Sequence, residues 1–159
     1  AMFMQNEGEI IAQDIYEKRV QLIDHLMLKT GVTIVKTKVQ DSSVLNEEYI
    51  NKFDRVLLDA PCSGLGDLRH KPEIRFHLKP DNIDELTSLQ KKLLEVNGQY
   101  VKEGGILVYS TCTLNKKENE KQIQTFLKNH SEYEFIEEKT LFPYIENSDG
   151  FYYAKMRRK

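Results

Sequence analysis

The sequence predicts an α/β fold built on an open, mostly parallel sheet. Three observations carry that prediction. Short apolar runs alternate with longer stretches of helical periodicity. Polar or reactive residues gather at the ends of those runs, at Asp14, Asp41, Asp59 to Cys62 and Ser110 to Cys112. The last two runs, "YEFIEE" and "FYYAKM", have no helix-length pattern between them, which predicts antiparallel neighbours.

Taken in order, "GEIIAQDI" (Gly8 to Ile15) reads as the first strand. A helix follows to about Leu28, with Val20, Ile23, Leu26 and Met27 on its buried face and Gly31 as its stop. "VTIVKTKV" is rich in β-branched residues and reads as a strand ending at Gln40-Asp41. A short helix is predicted around Glu47 to Lys52, and "RVLLDA" reads as a buried parallel strand. A long helix is expected from Pro80, capped by Asp81. Its predicted buried face is Leu86, Leu89, Leu93, Leu94 and Val101, with Gly104-Gly105 ending it and Gly98 marking a kink. "ILVYST" is the next strand. Asn115 and Glu118 then form an N-x-x-E start signal for a helix that buries Ile123, Phe126 and Leu127. There is no internal repeat and no low-complexity tract.

At 159 residues, 40 % hydrophobic and 30 % charged, the chain has the size and composition of a single domain with its own core. No apolar run approaches the roughly 20 residues that span a membrane. The start, "AMFMQNEGEI", lacks the basic region, apolar core and cleavage site of a secretory signal. Two cysteines do not make a disulfide scaffold, so a cytoplasmic setting is expected. The net charge of −2 excludes a polycation, so any contact with RNA needs a local basic patch or another domain.

The two cysteines pose the functional question. Cys112 reads equally well as a buried inert thiol or as a nucleophile at the end of a strand. Cys62 lies in "DAPCSGLG", where Pro61 fixes the backbone and Gly64 and Gly66 let a ligand approach closely. Packing alone explains that loop poorly. A zinc site would need about four Cys or His ligands, and the chain has no paired-cysteine spacing. A disulfide between the two remains a minor reading. Asp14 and Asp41 each read as a ribose-binding acid or as an ordinary helix or turn cap. "LRHKPEIRFHLK" carries Arg69, His70, Lys71, Arg75, His77 and Lys79 with Phe76 among them. It reads as a solvated loop or as a phosphate-contacting patch with one stacking aromatic.

At these loops the sequence resembles the RNA cytosine-5 methyltransferases. "DAPCSGLG" is similar to that family's fourth motif and "YSTCTLN" to its sixth; "KPEIRF" and "DGFYYAKM" also match its pattern. The resemblance covers nearly all of the chain and is nearest to the bacterial 16S rRNA enzymes of the Fmu/Sun (RsmB) type. It implies a Rossmann-like class I methyltransferase sheet and S-adenosylmethionine as cofactor. It also implies a single domain, here without the first strand and the glycine-rich cofactor loop. The expected partners are 16S rRNA, with no membrane, and an amino-terminal RNA-binding domain lies outside these residues. Exposed sheet edges are expected to favour oligomers, and the isolated chain is expected to bind cofactor weakly and to be inactive.

The resemblance also assigns roles. Cys112 is the thiolate that adds to carbon 6 of cytosine, Cys62 assists release, and Asp59 holds the base at N3 and its amino group. Asp14 binds the cofactor ribose, Asp41 lies near the adenine, and Asp59 serves cofactor as well as base. Ile15 packs against the adenine or belongs to the core. Arg69, His70, Lys71 and Arg75 are the expected RNA contacts.

Overall fold

A computed structural model describes residues 1–159, apart from the side chain of His77. The chain divides into two compact units, Ala1–Val44 and Leu45–Lys159. Among the described residues, no helix is long and apolar enough to cross a membrane.

The first unit is one parallel crossover. Strands β1 (Ile10–Asp14) and β2 (Val35–Val39) pair in parallel with Asp14 opposite Val39, and helix α1 (Glu17–Thr30) connects them. Gly31 stops the helix in the left-handed conformation at φ 67°, as its position predicts. The predicted apolar stripe is narrower than expected. Val20 is buried, Ile23 and Met27 are half-buried, and Leu26 is exposed, because two strands cover only a thin strip of the helix.

The second unit holds a four-stranded sheet in the order β3-β4-β6-β5. Its strands are β3 (Phe53–Asp59), β4 (Val101–Thr111), β5 (Tyr133–Leu141) and β6 (Phe151–Arg158). Strands β3 and β4 are parallel, and β6 runs antiparallel to both β4 and β5. Helices α2 (Ile74–His77), α3 (Pro80–Gly98), α4 (Glu120–Asn129) and α5 (Pro143–Glu146) complete the unit. Leu93 and Leu94 of α3 and Ile123 and Phe126 of α4 bury themselves against Leu58, Leu107, Tyr109, Tyr152, Ala154 and Met156. Each large side chain so buried contributes about 1.5–3 kcal/mol.

Several expectations change here. The "RVLLDA" run is buried on one face only: Leu58 is in the core, while Leu57 is 70 % exposed on what is an edge strand among the described residues. Helix α3 ends at Gly98, and Val101 to Gly105 belong to β4. Gly98 is a contact point, not a kink: a Cβ there would lie 2.9 Å from the Phe126 ring. Asp81 does not cap α3. The Asn82 side chain accepts the Lys79 N–H at 3.0 Å instead, and Pro80 fills the first turn. The predicted helix near Glu47 is a short 3₁₀ turn, Glu47–Tyr49. One helical turn, α5, does fit between β5 and β6, which are antiparallel as expected.

A pH-sensitive cluster ties the end of α4 to α3 and to the turn before β5. The His130 ring meets Glu95 at 2.6 Å and Glu132 at 2.8 Å and stacks on Phe126 at 4.4 Å. Burial opposes the imidazolium, but the hydrogen bonds to Glu132 and Glu95 outweigh it and raise the pKa above the ordinary 6.5. The bond to His130 in turn lowers Glu132 below 4.5. A raised histidine stabilises fully below 6.5 and loses that contribution as pH rises through its folded pKa. A lowered glutamate stabilises above 4.5 and loses its contribution as pH falls through its folded pKa. The cluster is therefore strongest between pH 4.5 and 6.5. His130→Ala is expected to cost about 0.5–1 kcal/mol more at pH 5.5 than at pH 9, or about 3 °C in Tm. Equal losses at both pH values by calorimetry would remove the ionic reading and leave only the stacking.

Candidate active site

The parallel pairing of β3 and β4 builds the site. It sets Asp59 opposite Ser110, and the Ser110 hydroxyl donates to the Asp59 carboxylate at 3.0 Å. One further backbone bond, Ala60 N–H to the Ser110 carbonyl at 2.9 Å, carries the pairing past the end of β3. The two loops that follow bring Cys62 and Cys112 together, with their Sγ atoms 3.3 Å apart and both thiols free. Residues 50 apart in sequence thus form one reactive pair at the carboxyl ends of adjacent strands.

The pair is electrostatically unequal. Cys112 is exposed, whereas Cys62 is partly buried. The hydrogen bond with Cys62 lowers the Cys112 thiol to about 7, against burial and the nearby Asp59 charge. The same bond, reinforced by burial, pushes the Cys62 thiol up. Cys112 is therefore the thiol of the pair that ionises first as pH rises, and Cys62 the one that keeps its proton longer. Tyr109, at the base of the site, is pushed up by burial and stays protonated.

Three loops are stitched together around the thiols. The Gly66 N–H donates to the Cys112 carbonyl at 2.9 Å, and the Gly150 N–H donates to the Gly66 carbonyl at 2.9 Å. Gly66 admits neighbouring backbone here; a Cβ on it would lie 1.9 Å from the Gly150 oxygen. Beneath the thiols, the buried Glu118 carboxylate accepts from the Ser63 N–H at 2.8 Å, the Ser63 hydroxyl at 2.6 Å and Gln90 Nε2 at 3.2 Å. Glu118 is thus not the capping residue its spacing suggests: α4 begins two residues later, and the carboxylate turns inward. Glu118, Gln90 and Gly150 are the participants that sequence reasoning misses. The "DGF" match includes Gly150 and the N-x-x-E signal includes Glu118, but neither shows its partner.

The other predicted residues have visible structural roles. Asp14, at the end of β1, accepts the Tyr16 N–H at 2.8 Å and meets Arg19 at 3.4 Å. Asp41, after β2, accepts the Ser43 N–H at 2.8 Å. Ile15 is 54 % exposed, which removes the core reading for it. All three belong to the first unit, and the thiol pair belongs to the second. In the basic segment, Lys71 pairs with Asp67 at 2.7 Å, His70 with Asp149 at 3.3 Å, and Arg75 lies over Phe76 at 5.0 Å. Arg69 is exposed, and the side chain of His77 lies outside the described residues. Asp67, His70 and Asp149 bring ligand-type atoms within 4.8 Å of one another, without either cysteine.

Residues 1–157 match the family model described as 16S rRNA methyltransferase RsmB/F. A probable ribosomal RNA small subunit methyltransferase B of Bacillus subtilis (strain 168) is 34 % identical across the whole chain, which covers 40 % of that protein. Ribosomal RNA small subunit methyltransferase B of Yersinia enterocolitica is 35 % identical over 94 % of the chain and 37 % of its own length. Among solved structures, a methyltransferase homologue from Pyrococcus horikoshii superposes with a TM-score of 0.87 at 32 % identity, over 100 % of this chain and 56 % of that one. The NSun6 of Pyrococcus horikoshii, solved with SFG, superposes with a TM-score of 0.89 at 28 % identity, over 99 % of this chain and 43 % of that one. The chain spans about two fifths of the length of the curated relatives it matches. With the α/β sheet and its antiparallel β6 shared by solved methyltransferases and the family pattern running almost end to end, the chain belongs to the 16S rRNA methyltransferase RsmB/F family.

Proposed function

We propose that this chain carries the catalytic residues of an S-adenosylmethionine-dependent methylation of cytosine carbon 5 in 16S rRNA. One observation carries the reading: two free thiols 3.3 Å apart at the carboxyl ends of adjacent strands, the exposed one with its pKa lowered to about 7 and the partly buried one pushed up. A pair of that kind suits a reaction that needs sulfur addition first and a managed elimination afterwards.

Carbon 5 of cytosine is too electron-poor to attack a methyl group unaided. The Cys112 sulfur adds to carbon 6, and the electron pair of the 5,6 double bond becomes available at carbon 5. Asp59 accepts from the amino group and, through one proton taken up from solvent and shared with N3, offsets the charge that builds there, while the Ser110 hydroxyl donates to its carboxylate. S-adenosylmethionine, when bound, would supply the methyl group to carbon 5, the methyl–sulfur bond breaking with its electron pair left on the donor sulfur. Cys62 gives up its own proton to solvent water and takes the carbon 5 proton; the C–H pair restores the 5,6 double bond, and the carbon–sulfur bond breaks with its pair left on the Cys112 sulfur. A stacked base cannot reach such a pair, so the target is unstacked first.

The donor set of the first unit fits the cofactor's ribose and adenine. Asp14 and Asp41 are carboxylate acceptors at the ends of parallel strands, and Ile15 beside Asp14 offers an exposed apolar surface. Within the first unit, Asp14 and Asp41 are assigned to the ribose and the adenine side, respectively; within the second, Asp59 is assigned to the base. Arg69 and Arg75 are the better RNA contacts, since Lys71 and His70 already face carboxylates. The setting that fits this reaction is the cytoplasm.

A substrate RNA with 5-fluorocytosine at the target position tests the reading. Fluorine at carbon 5 cannot leave as a proton does, so methylation without release is expected to yield a protein–RNA adduct at Cys112. The assay uses a chain of the relatives' full length with cofactor present. Methylated RNA without an adduct would assign the methyl group to another atom of the base.

A further inference from the structure

We propose that Glu118 is a positioning residue whose buried carboxylate clamps the Cys62 loop to the Cys112 loop and keeps the two thiols in contact. The proposal rests on the reading of those thiols as the reacting pair.

Three donors converge on one side chain. Oε1 accepts the Ser63 N–H at 2.8 Å and Gln90 Nε2 at 3.2 Å, and Oε2 accepts the Ser63 hydroxyl at 2.6 Å. The Thr113 hydroxyl has one proton, and Ser63 Oγ at 2.8 Å is a nearer acceptor for it than Oε2 at 3.4 Å. Ser63 follows Cys62, and Thr113 follows Cys112, so the carboxylate grips the residue after one thiol directly and the residue after the other through Ser63. The residues before the thiols are held as well. Gln90 Nε2 donates to the Pro61 carbonyl at 2.9 Å. The Thr111 hydroxyl donates to Asn119 Oδ1 at 2.6 Å, and Asn119 Nδ2 donates to the Thr113 carbonyl at 2.9 Å. Tyr109 Oη anchors the clamp itself by donating to the Glu118 carbonyl at 2.7 Å.

Glu118, Gln90, Asn119, Thr111 and Thr113 are all buried. A buried carboxylate is costly to hold, and an apolar side chain of similar size would pack there without that cost. Core packing therefore does not account for it. What it does that an apolar residue cannot is to bond the loop after β4, to which it belongs, to the loop after β3 at Ser63, the neighbour of Cys62. The sulfur–sulfur contact of 3.3 Å is what makes the two thiols unequal.

The test is the pH profile of iodoacetamide alkylation at each cysteine, read by peptide mass spectrometry, beside a thermal melt of the same chain. In the parent chain Cys112 is expected to react half-maximally near pH 7 and Cys62 slowly. Glu118→Gln puts a donor where donors converge and weakens the grip. Cys112 is then expected to titrate about one unit higher and to react about fivefold to tenfold more slowly at pH 7, while Cys62 speeds up. Glu118→Asp keeps the charge but is one methylene too short to reach the Cys62 loop, and is expected to behave alike. Loss of a nearby negative charge by itself moves Cys112 the other way, so the sign separates a clamp from a field effect. Either folded variant with an unmoved thiol profile, whatever its melting temperature, overturns the proposal; so does a Glu118→Asp variant that restores the parent profile. Should both fail to fold, Ser63→Ala removes only the hydroxyl link and is expected to shift both rates in the same directions by about twofold, an unmoved profile again overturning the clamp. Alkylation does not depend on methyl transfer, so failure of the clamp and failure of the proposed reaction are told apart.

Discussion

Cys112→Ala is expected to reduce methyl transfer by about three orders of magnitude or more, the scale on which a lost covalent nucleophile is felt. Cys62→Ala is expected to do something different: to accumulate a covalent protein–RNA species. The difference follows from the asymmetry of the pair. Cys112 is the exposed sulfur with the lowered pKa, so addition to the base fails without it. Cys62 lies 3.3 Å from that sulfur and is assigned to the carbon 5 proton, so addition and methylation proceed without it while elimination stalls. In Cys62→Ala the Cys112 thiol also loses its donor, and its pKa is expected to rise from about 7, slowing addition at neutral pH without stopping it. A denaturing gel with labelled RNA reads both outcomes, in a chain of the relatives' full length. A slow-migrating band is expected for Cys62→Ala and none for the double variant. Normal turnover by Cys112→Ala would sink the nucleophile assignment, and a Cys62→Ala protein that turns over without an adduct would sink the release role.

What could be read in advance was whatever depends on local pattern. The strand ends carrying Asp14, Asp41, Asp59 and Ser110 are visible because apolar runs stop abruptly there, and β5 and β6 because too few residues separate them for a crossover. The errors fall where one local signal has two physical uses. Asn115 and Glu118 have the spacing of a capping box, yet Glu118 finds better partners in Ser63 and Gln90, which are distant in sequence. Gly104-Gly105 looks like a helix stop but lies inside β4, next to the register shift between Phe53 and Arg55. Gly98 looks like a kink but is the point where α4 packs against α3, through Phe126. Leu57 looks like core because a parallel strand is usually covered on both faces; here one face of β3 is open. The chemistry of the two cysteines belongs to the same class. Each is ordinary alone, and only the β3–β4 register makes them a pair.

Gly66→Ala carries the largest expected effect on stability, and it tests whether the stitched loops and the thiols form one unit. The added Cβ would lie 1.9 Å from the Gly150 oxygen, 2.6 Å from the Gly150 carbon and 2.8 Å from the Cys112 oxygen. All three are backbone atoms, so no side chain can swing aside to make room. Relief requires the Gly150 loop, the Cys112 loop or both to move, breaking the Gly66–Cys112 and Gly150–Gly66 hydrogen bonds. The expected cost is about 3 kcal/mol or more, or about 10 °C in Tm. Gly104→Ala is the control. Gly104 has φ 75° but nothing within 4 Å of an added Cβ, so only backbone strain is introduced, worth about 1 kcal/mol. Thermal melts are expected to separate the two variants clearly. Alkylation is expected to do so as well: Gly66→Ala should free the Cys112 loop and bring the two thiol rates together, whereas Gly104→Ala should leave both rates as they are. Equal melting temperatures would mean that the loops slide apart at little cost, and unchanged thiol rates in Gly66→Ala would mean that the sulfur contact is held by Glu118 alone.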